Sequence, residues 1–278
     1  MDDHVRKLTK DLRDASYTLS DDEARFLVDA YYIIQEDRKR SGNQVRSMEN
    51  EPHELLSWFF KQNQILENQL KDALDRYSET KPIGRWMKSN FGIGPVISAG
   101  IIANIDIRKT TTAGDLYRFG GVDPSSKWEK GKKRPWNASL KVVYYHIGQC
   151  IIFFCNDERS YYGPHFKTKK EYYVKRNESG GNRERALLEA SRYDKKTEAY
   201  KHCMGGKLPP AHVNAQARRW VTKLFLSHVH ELWYEIELGE KPPACFAIAH
   251  LGHTDYIPPP HRDIPPQGST LGGKKGDV

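Results

Sequence analysis

Apolar residues recur at three- and four-residue spacing through most of this chain, which is the period of a helix with one buried face. The longest stripe runs through residues 52–78: Leu55, Leu56, Phe59, Leu66, Leu70, Leu74 and Tyr77. Pro52 stands where that helix would open. Ahead of it, Ser20-Asp21-Asp22-Glu23 has the form of a capping box, and Phe26, Leu27, Ala30, Tyr31, Ile33 and Ile34 follow before the helix fades into a polar stretch, 36–50. Val5, Leu8 and Leu12 suggest a short helix within 1–14. Asn137 would cap a helix to about Phe154 that is apolar nearly all round and therefore reads as buried. Two charged helices are expected at 167–176 and 183–201, and Pro209-Pro210 opens a last long helix through Ile236. The fold class expected is all-α: a helical bundle, a long coiled-coil-like helix before it, and a disordered Pro/Gly-rich tail from residue 239.

Between the long stripe and the buried helix lies Phe91-Gly92-Ile93-Gly94-Pro95-Val96. It separates two short apolar-rich segments, 81–88 and 96–103. Two glycines around one apolar residue give a sharp turn whose backbone a partner can approach closely. Pro95 suits the first position of the following helix, where no N–H is needed. The free amides and positive dipole end of that helix suit a phosphate. The pattern is that of a helix-hairpin-helix, which holds a nucleic-acid backbone without reading sequence. Residues 1–80 are thus expected as an N-terminal helical arm, 81–238 as the hairpin-bearing domain, and 239–278 as the tail.

Charge sharpens this division. The chain of 278 residues has a net charge of +8. Residues 1–80 hold 12 Lys/Arg and 17 Asp/Glu, and the rest hold 32 and 19. A basic body behind an acidic arm points to an anionic partner. The segment 123–136 concentrates the chemistry: Lys127, Lys130, Lys132, Lys133 and Arg134 interleave with Trp128 and Trp136. Basic residues with aromatics suit backbone and stacking contacts. Arg85, Lys88, Arg218 and Arg219 are further candidate backbone contacts, with Gly92, Ile93, Gly94, Pro95 and Val96 as the amide-bearing turn. DNA is the expected partner, with structured RNA as the alternative.

Catalytic signatures are sparse. There is no P-loop, dinucleotide fingerprint, HExxH or EF-hand pattern. Cys150, Cys155, Cys203 and Cys245 are irregularly spaced and read as reduced thiols of a cytoplasmic protein, neither a disulfide framework nor a zinc knuckle. His228 and His230 diverge by half a turn on a helix, and His250 and His253 lack an obvious acidic or cysteine partner. No metal or cofactor is expected. The charged start Met1-Asp2-Asp3-His4 does not read as a signal peptide, and the apolar runs are too short to span a bilayer.

In order, the turn at 91–95, the Ala/Ile helix after it, Leu116-Tyr117-Arg118-Phe119-Gly120-Gly121-Val122-Asp123-Pro124 and Asn137-Ala138-Ser139-Leu140-Lys141 resemble the C-terminal domain of the DEDD-type insertion-sequence transposases. Those proteins are relatives of the Piv-type DNA invertases, and some are guided by a bridge RNA. The resemblance spans about residues 60–235. It implies an all-α domain that binds DNA during transposition or recombination. In that family, activity needs an N-terminal RNase H-like domain whose four carboxylates bind magnesium, and a nucleophilic serine in the C-terminal domain. Here the first 80 residues are too short and too helical for the former. Ser125 and Ser126 are the two serines nearest the family position, in a shorter loop, with no base in sequence to activate either. The main expectation is a DNA-holding protein. The alternatives are a serine-using recombinase with a metal-bearing partner, and a helical interaction protein that self-associates through the 52–78 helix.

Overall fold

The computed structural model describes residues 7–48, 54–243 and 256–263. Among them every regular element is helical: α1 Lys10–Ala15, α2 Asp21–Ser47, α3 Glu54–Glu79, α4 Pro82–Ser89, α5 Pro95–Asn104, α6 Ala113–Phe119, α7 Ala138–Phe153, α8 Tyr162–Glu178, α9 Arg183–Ala190, α10 Glu198–Met204 and α11 Pro210–Leu238. The all-α expectation holds. The chain packs as two compact units. Of the described residues, the first takes those up to Thr111, 232–243 and 261–263; the second takes 112–231 and 256–260.

In the first unit, α2, α3 and α5 pack against one another. The capping box at Ser20 forms: Ser20 N–H donates to Glu23 Oε2 at 2.8 Å, and Glu23 N–H donates to Ser20 Oγ at 3.3 Å. The helix it starts does not fade at residue 36 but runs to Ser47. A shared hydrogen-bond network ties the middle of α2 to α3, and further along Gly42 lies against the Phe60 ring. Glu67 of α3 accepts from Tyr31 at 3.1 Å, from Gln35 at 3.2 Å, and from Arg38 in an ion pair. Lower down, Tyr77 donates to Asp21 at 2.7 Å. α5 lies in the middle of this unit, and all of Val96–Ala103 is buried. Full burial of a side chain such as Ile101 is worth about 1.5–3 kcal/mol.

The 52–78 stripe therefore meets α2 and α5 of its own chain. Leu74 and Tyr77 are buried in that contact. Leu55, Trp58 and Phe59, near the first end of α3, remain exposed. Pro52, assigned to open this helix, falls outside the described residues. The boundary expected after residue 80 separates elements that the structure packs together: α4 and α5 contact each other and α3 within the first unit.

The second unit holds α6 to α10 and about the first three-quarters of α11. Asn137 caps α7 as expected, accepting from Leu140 N–H at 3.0 Å. Unlike the expectation of all-round burial, α7 buries Leu140, Val143, Tyr144, Ile147 and Ile151 but exposes Val142, Tyr145 and Phe153. The expected helix 183–201 is two helices, α9 and α10. Asp194 takes Lys196 N–H at 2.9 Å and Thr197 caps α10 by accepting from Tyr200 N–H at 3.2 Å, so local side-chain bonds divert the backbone from one continuous ladder.

Part of the expected tail is folded. His228 of α11 is buried and bonded at both ring nitrogens, to Tyr162 Oη at Nδ1 and to Ile257 O at Nε2, each 2.8 Å. The carbonyl can only accept, so Nε2 carries the proton and Nδ1 accepts from the Tyr162 hydroxyl. Tyr161 also donates to Pro258 O at 2.7 Å. These bonds hold 256–260 on the second unit. His250 and His253 lie outside the described residues.

Candidate nucleic-acid interface

The turn at 90–94 has the geometry that its glycines require. Asn90 closes α4 by donating to Trp86 O at 2.8 Å, and Gly92 adopts φ 92°, a conformation costly for residues with a Cβ. Gly94 precedes α5 with no side-chain cap, Pro95 occupies its first turn, and a Cβ placed on Gly94 would meet only open space. Of the amides at 92–96, Ile93 N–H is already given to Asn90 O at 3.0 Å and Pro95 has none. The Gly92, Gly94 and Val96 amides have no backbone partner among the described residues. Ile93 and Val96 side chains are core residues, 5% and 7% exposed, so they anchor the turn rather than face a ligand.

The two cations expected beside this turn are engaged within the chain. Lys88 Nζ bridges Asp75 at 2.7 Å and Glu79 at 2.6 Å, and Arg85 donates to Glu79 O at 2.9 Å. Lys88 therefore meets any phosphate from within an ion pair with two carboxylates.

In the second unit, residues 123–136 form an ordered loop. Trp128 Nε1 donates to Lys132 O at 2.7 Å, and the Arg134 guanidinium lies 5.5 Å from the Trp128 ring centroid. Lys132 pairs with Glu129 at 2.7 Å. Lys127, Lys130, Lys133 and Arg134 are exposed and make no ion pair with a described residue. Trp136 has a different task. Its ring lies against Gly121, where a Cβ would come within 2.6 Å, while the Tyr144 ring lies against Gly120 at 2.1 Å on the same measure. The Gly120-Gly121 pair thus ends α6 and lets two aromatic rings sit directly on the backbone.

Ser125 and Ser126 follow at the loop's start. Asp123 Oδ1 accepts from both Ser125 N–H and Ser125 Oγ–H at 2.9 Å, the pattern of an Asx turn. These bonds from Ser125, with Lys223 and Arg118 nearby, outweigh burial and hold the Asp123 carboxyl below the usual carboxylate range. So weak a base orients the hydroxyl without activating it.

A further feature of the second unit gathers residues that lie far apart in the sequence. A cavity of about 1070 Å³ opens between residues 121–124, the end of α8, α9 and the first half of α11. Arg176, Arg183, Arg185, Arg192, Arg219 and Lys223 line it, against three carboxylates, Asp123, Glu184 and Glu189. Tyr173, His212 and Trp220 complete the wall. Burial is the main cause that lowers the Arg219 and Lys223 pKa values, and neighbouring guanidiniums lower both further. Burial and then Arg185 do the same to His212. Arg218, paired with Arg219 in the sequence assignment, points elsewhere: its guanidinium lies 4.5 Å from the Tyr145 ring centroid and its stem packs on Gly148.

The cavity wall depends on Asn177, which is buried. Its amide donates to Leu208 O at 3.0 Å, and its Oδ1 accepts from Leu208 N–H at 2.9 Å and Asn182 at 3.2 Å. This side chain joins the end of α8, the start of α9 and the approach to α11. Asn177→Ala strands both backbone groups of Leu208 and should cost about 2 kcal/mol of stability, read as a lower urea midpoint.

Among the described residues no group of three or more His, Cys, Asp or Glu side chains could hold a metal ion, and no helix is long and apolar enough to cross a membrane. Comparison with protein-family models, with curated proteins and with solved structures gives no match.

Proposed function

We propose that this chain is a nucleic-acid-binding protein related to the insertion-sequence transposases, which holds the DNA backbone during transposition or recombination. The observation that carries the reading is the exposed set Lys127, Lys130, Lys133 and Arg134, which makes no ion pair with a described residue, on a loop where Trp128 contacts Lys132 and Arg134. Exposed cations held in one place attract phosphate and gain from the counterions it releases. The α4–turn–α5 hairpin adds a second contact through its uncapped helix start. The ordered run of motifs from residue 91 to residue 141 supports the transposase relationship. Electrophoretic shift of duplex DNA by the full chain at low salt tests the reading; no shift with DNA or RNA would end it.

Ser125 serves the turn in this reading. Ser125→Ala and Ser126→Ala are expected to leave DNA affinity within about twofold, because neither hydroxyl supplies charge. Covalent protein–DNA adducts that vanish in either variant would instead favour a recombinase that cuts with that serine.

A further inference from the structure

We infer that the cavity between α8, α9 and α11 is a nucleoside-phosphate site that seats the unpaired end of a nucleic-acid strand. The choice of a strand as ligand rests on the proposed nucleic-acid function; the choice of phosphate rests on the cavity itself. Its wall brings six cations together against three carboxylates. Among the described residues, only Arg192 of the six makes an ion pair with a carboxylate of the wall, Glu189 at 2.7 Å. Arg185 instead faces His212, 3.4 Å from Nε2, a neighbour that offers no negative charge. Gathering guanidiniums with so few counter-charges is unfavourable in the empty protein. A bound phosphate reverses that cost, and guanidiniums match its oxygens in bidentate pairs.

Two further features distinguish the site from a plain basic surface. The first is size: the space of about 1070 Å³ reaches the top of the range of small-ligand clefts and exceeds the needs of a lone phosphate, and its arginines remain open to solvent. The second is aromatic content. Trp220 and Tyr173 stand in the same wall as the arginines, which provides ring faces for bases beside charges for the backbone. Lys169 Nζ sits 5.0 Å from the Trp220 ring centroid and 5.6 Å from that of Tyr173. The start of α9 borders the cavity and carries no side-chain cap, and Asn182 donates its amide to Asn177. An unpaired strand end presents phosphate and base together, which matches a wall that carries both cations and rings.

The test uses the full chain and three probes at low salt: a 5′-phosphorylated single-stranded hexathymidine, a blunt duplex, and free ATP. Binding is followed by fluorescence anisotropy or calorimetry for the native protein and the Arg185→Ala/Arg219→Ala variant. Thermal melting checks that the variant is folded, and Arg176→Ala provides a second probe of the same wall. The inference predicts that the double variant loses at least about tenfold in hexathymidine affinity, with duplex affinity changed by less than about threefold. Cavity-dependent binding of ATP without binding of either oligonucleotide would support the phosphate site, assign it a free nucleotide, and overturn the nucleic-acid reading. Equal hexathymidine affinity in native protein and both folded variants would overturn the inference while leaving duplex binding intact. No binding of any probe would overturn both.

Discussion

Replacing Lys127, Lys130, Lys133 and Arg134 together by alanine should lower DNA affinity by about a hundredfold or more at low salt. Each lysine or arginine that neutralises a phosphate releases close to one counterion, so four lost contacts should flatten the dependence of log affinity on log salt by roughly three to four units. Lys132 is left in place because Glu129 already pairs with it. Arg134 belongs in the set because its guanidinium is held against Trp128, and a pre-positioned cation gives up less freedom on binding. Loss of affinity should be uniform across sequences, since the loop offers charge rather than base-reading geometry. Isotherms at several salt concentrations separate the outcomes. A parallel salt dependence for native and substituted proteins would remove the loop from the interface.

Arg38→Ala should cost about 3 kcal/mol of stability, the largest effect expected from a single side chain in the first unit. Glu67 is buried with one cationic partner, and removal of that partner leaves a carboxylate in a poorly hydrated place. The lower end of the usual range applies because the Arg38 side chain is 29% exposed and water can enter. Arg38→Ala combined with Glu67→Leu should recover most of the loss, because the stranded charge disappears with its partner. Acid should expose the same pair. Burial raises the Glu67 pKa, but the hydrogen bonds and charge from Arg38, Gln35 and Tyr31 outweigh it and the net shift is downward. A lowered pKa in the folded state means the stabilisation is present above the ordinary glutamate range and disappears as pH falls through the folded value. Urea midpoints of the native protein should therefore decline below about pH 4.5, and Glu67→Leu should weaken that decline. Burial and the charge of Glu67 meanwhile push the Tyr31 hydroxyl up to about 12, so it stays a donor at any working pH.

Local signals made most of the helices legible. Ser20, Asn137 and Pro95 each mark a helix start in the chain, and each start forms as its cap or proline dictates. Periodicity failed where polar groups carry the packing. Residues 36–47 look like solvent-facing chain, but Arg38 turns inward to a carboxylate on α3. Glu67 sits at a helical position that could equally have faced solvent, so its burial cannot be read from spacing. The Lys88 ion pairs were hidden for a related reason: both carboxylate partners belong to α3, and one-dimensional charge counts do not pair them. The cavity was the least legible feature. Its cations come from α8, α9 and the turn after it, and α11, and only the fold gathers them. Arg218 and Arg219 show the limit most plainly. They are adjacent in sequence, yet about 100° apart around a helix, and only Arg219 reaches the cavity.

The central claim, that the chain holds a nucleic-acid backbone by charge, is tested most directly by titrating the full chain with two duplexes of unrelated sequence across a salt series. The account predicts closely similar affinities for the two duplexes and a linear fall of log affinity with log salt, with a slope of about −3 or steeper. Absence of binding at the lowest salt, or binding indifferent to salt, would contradict it.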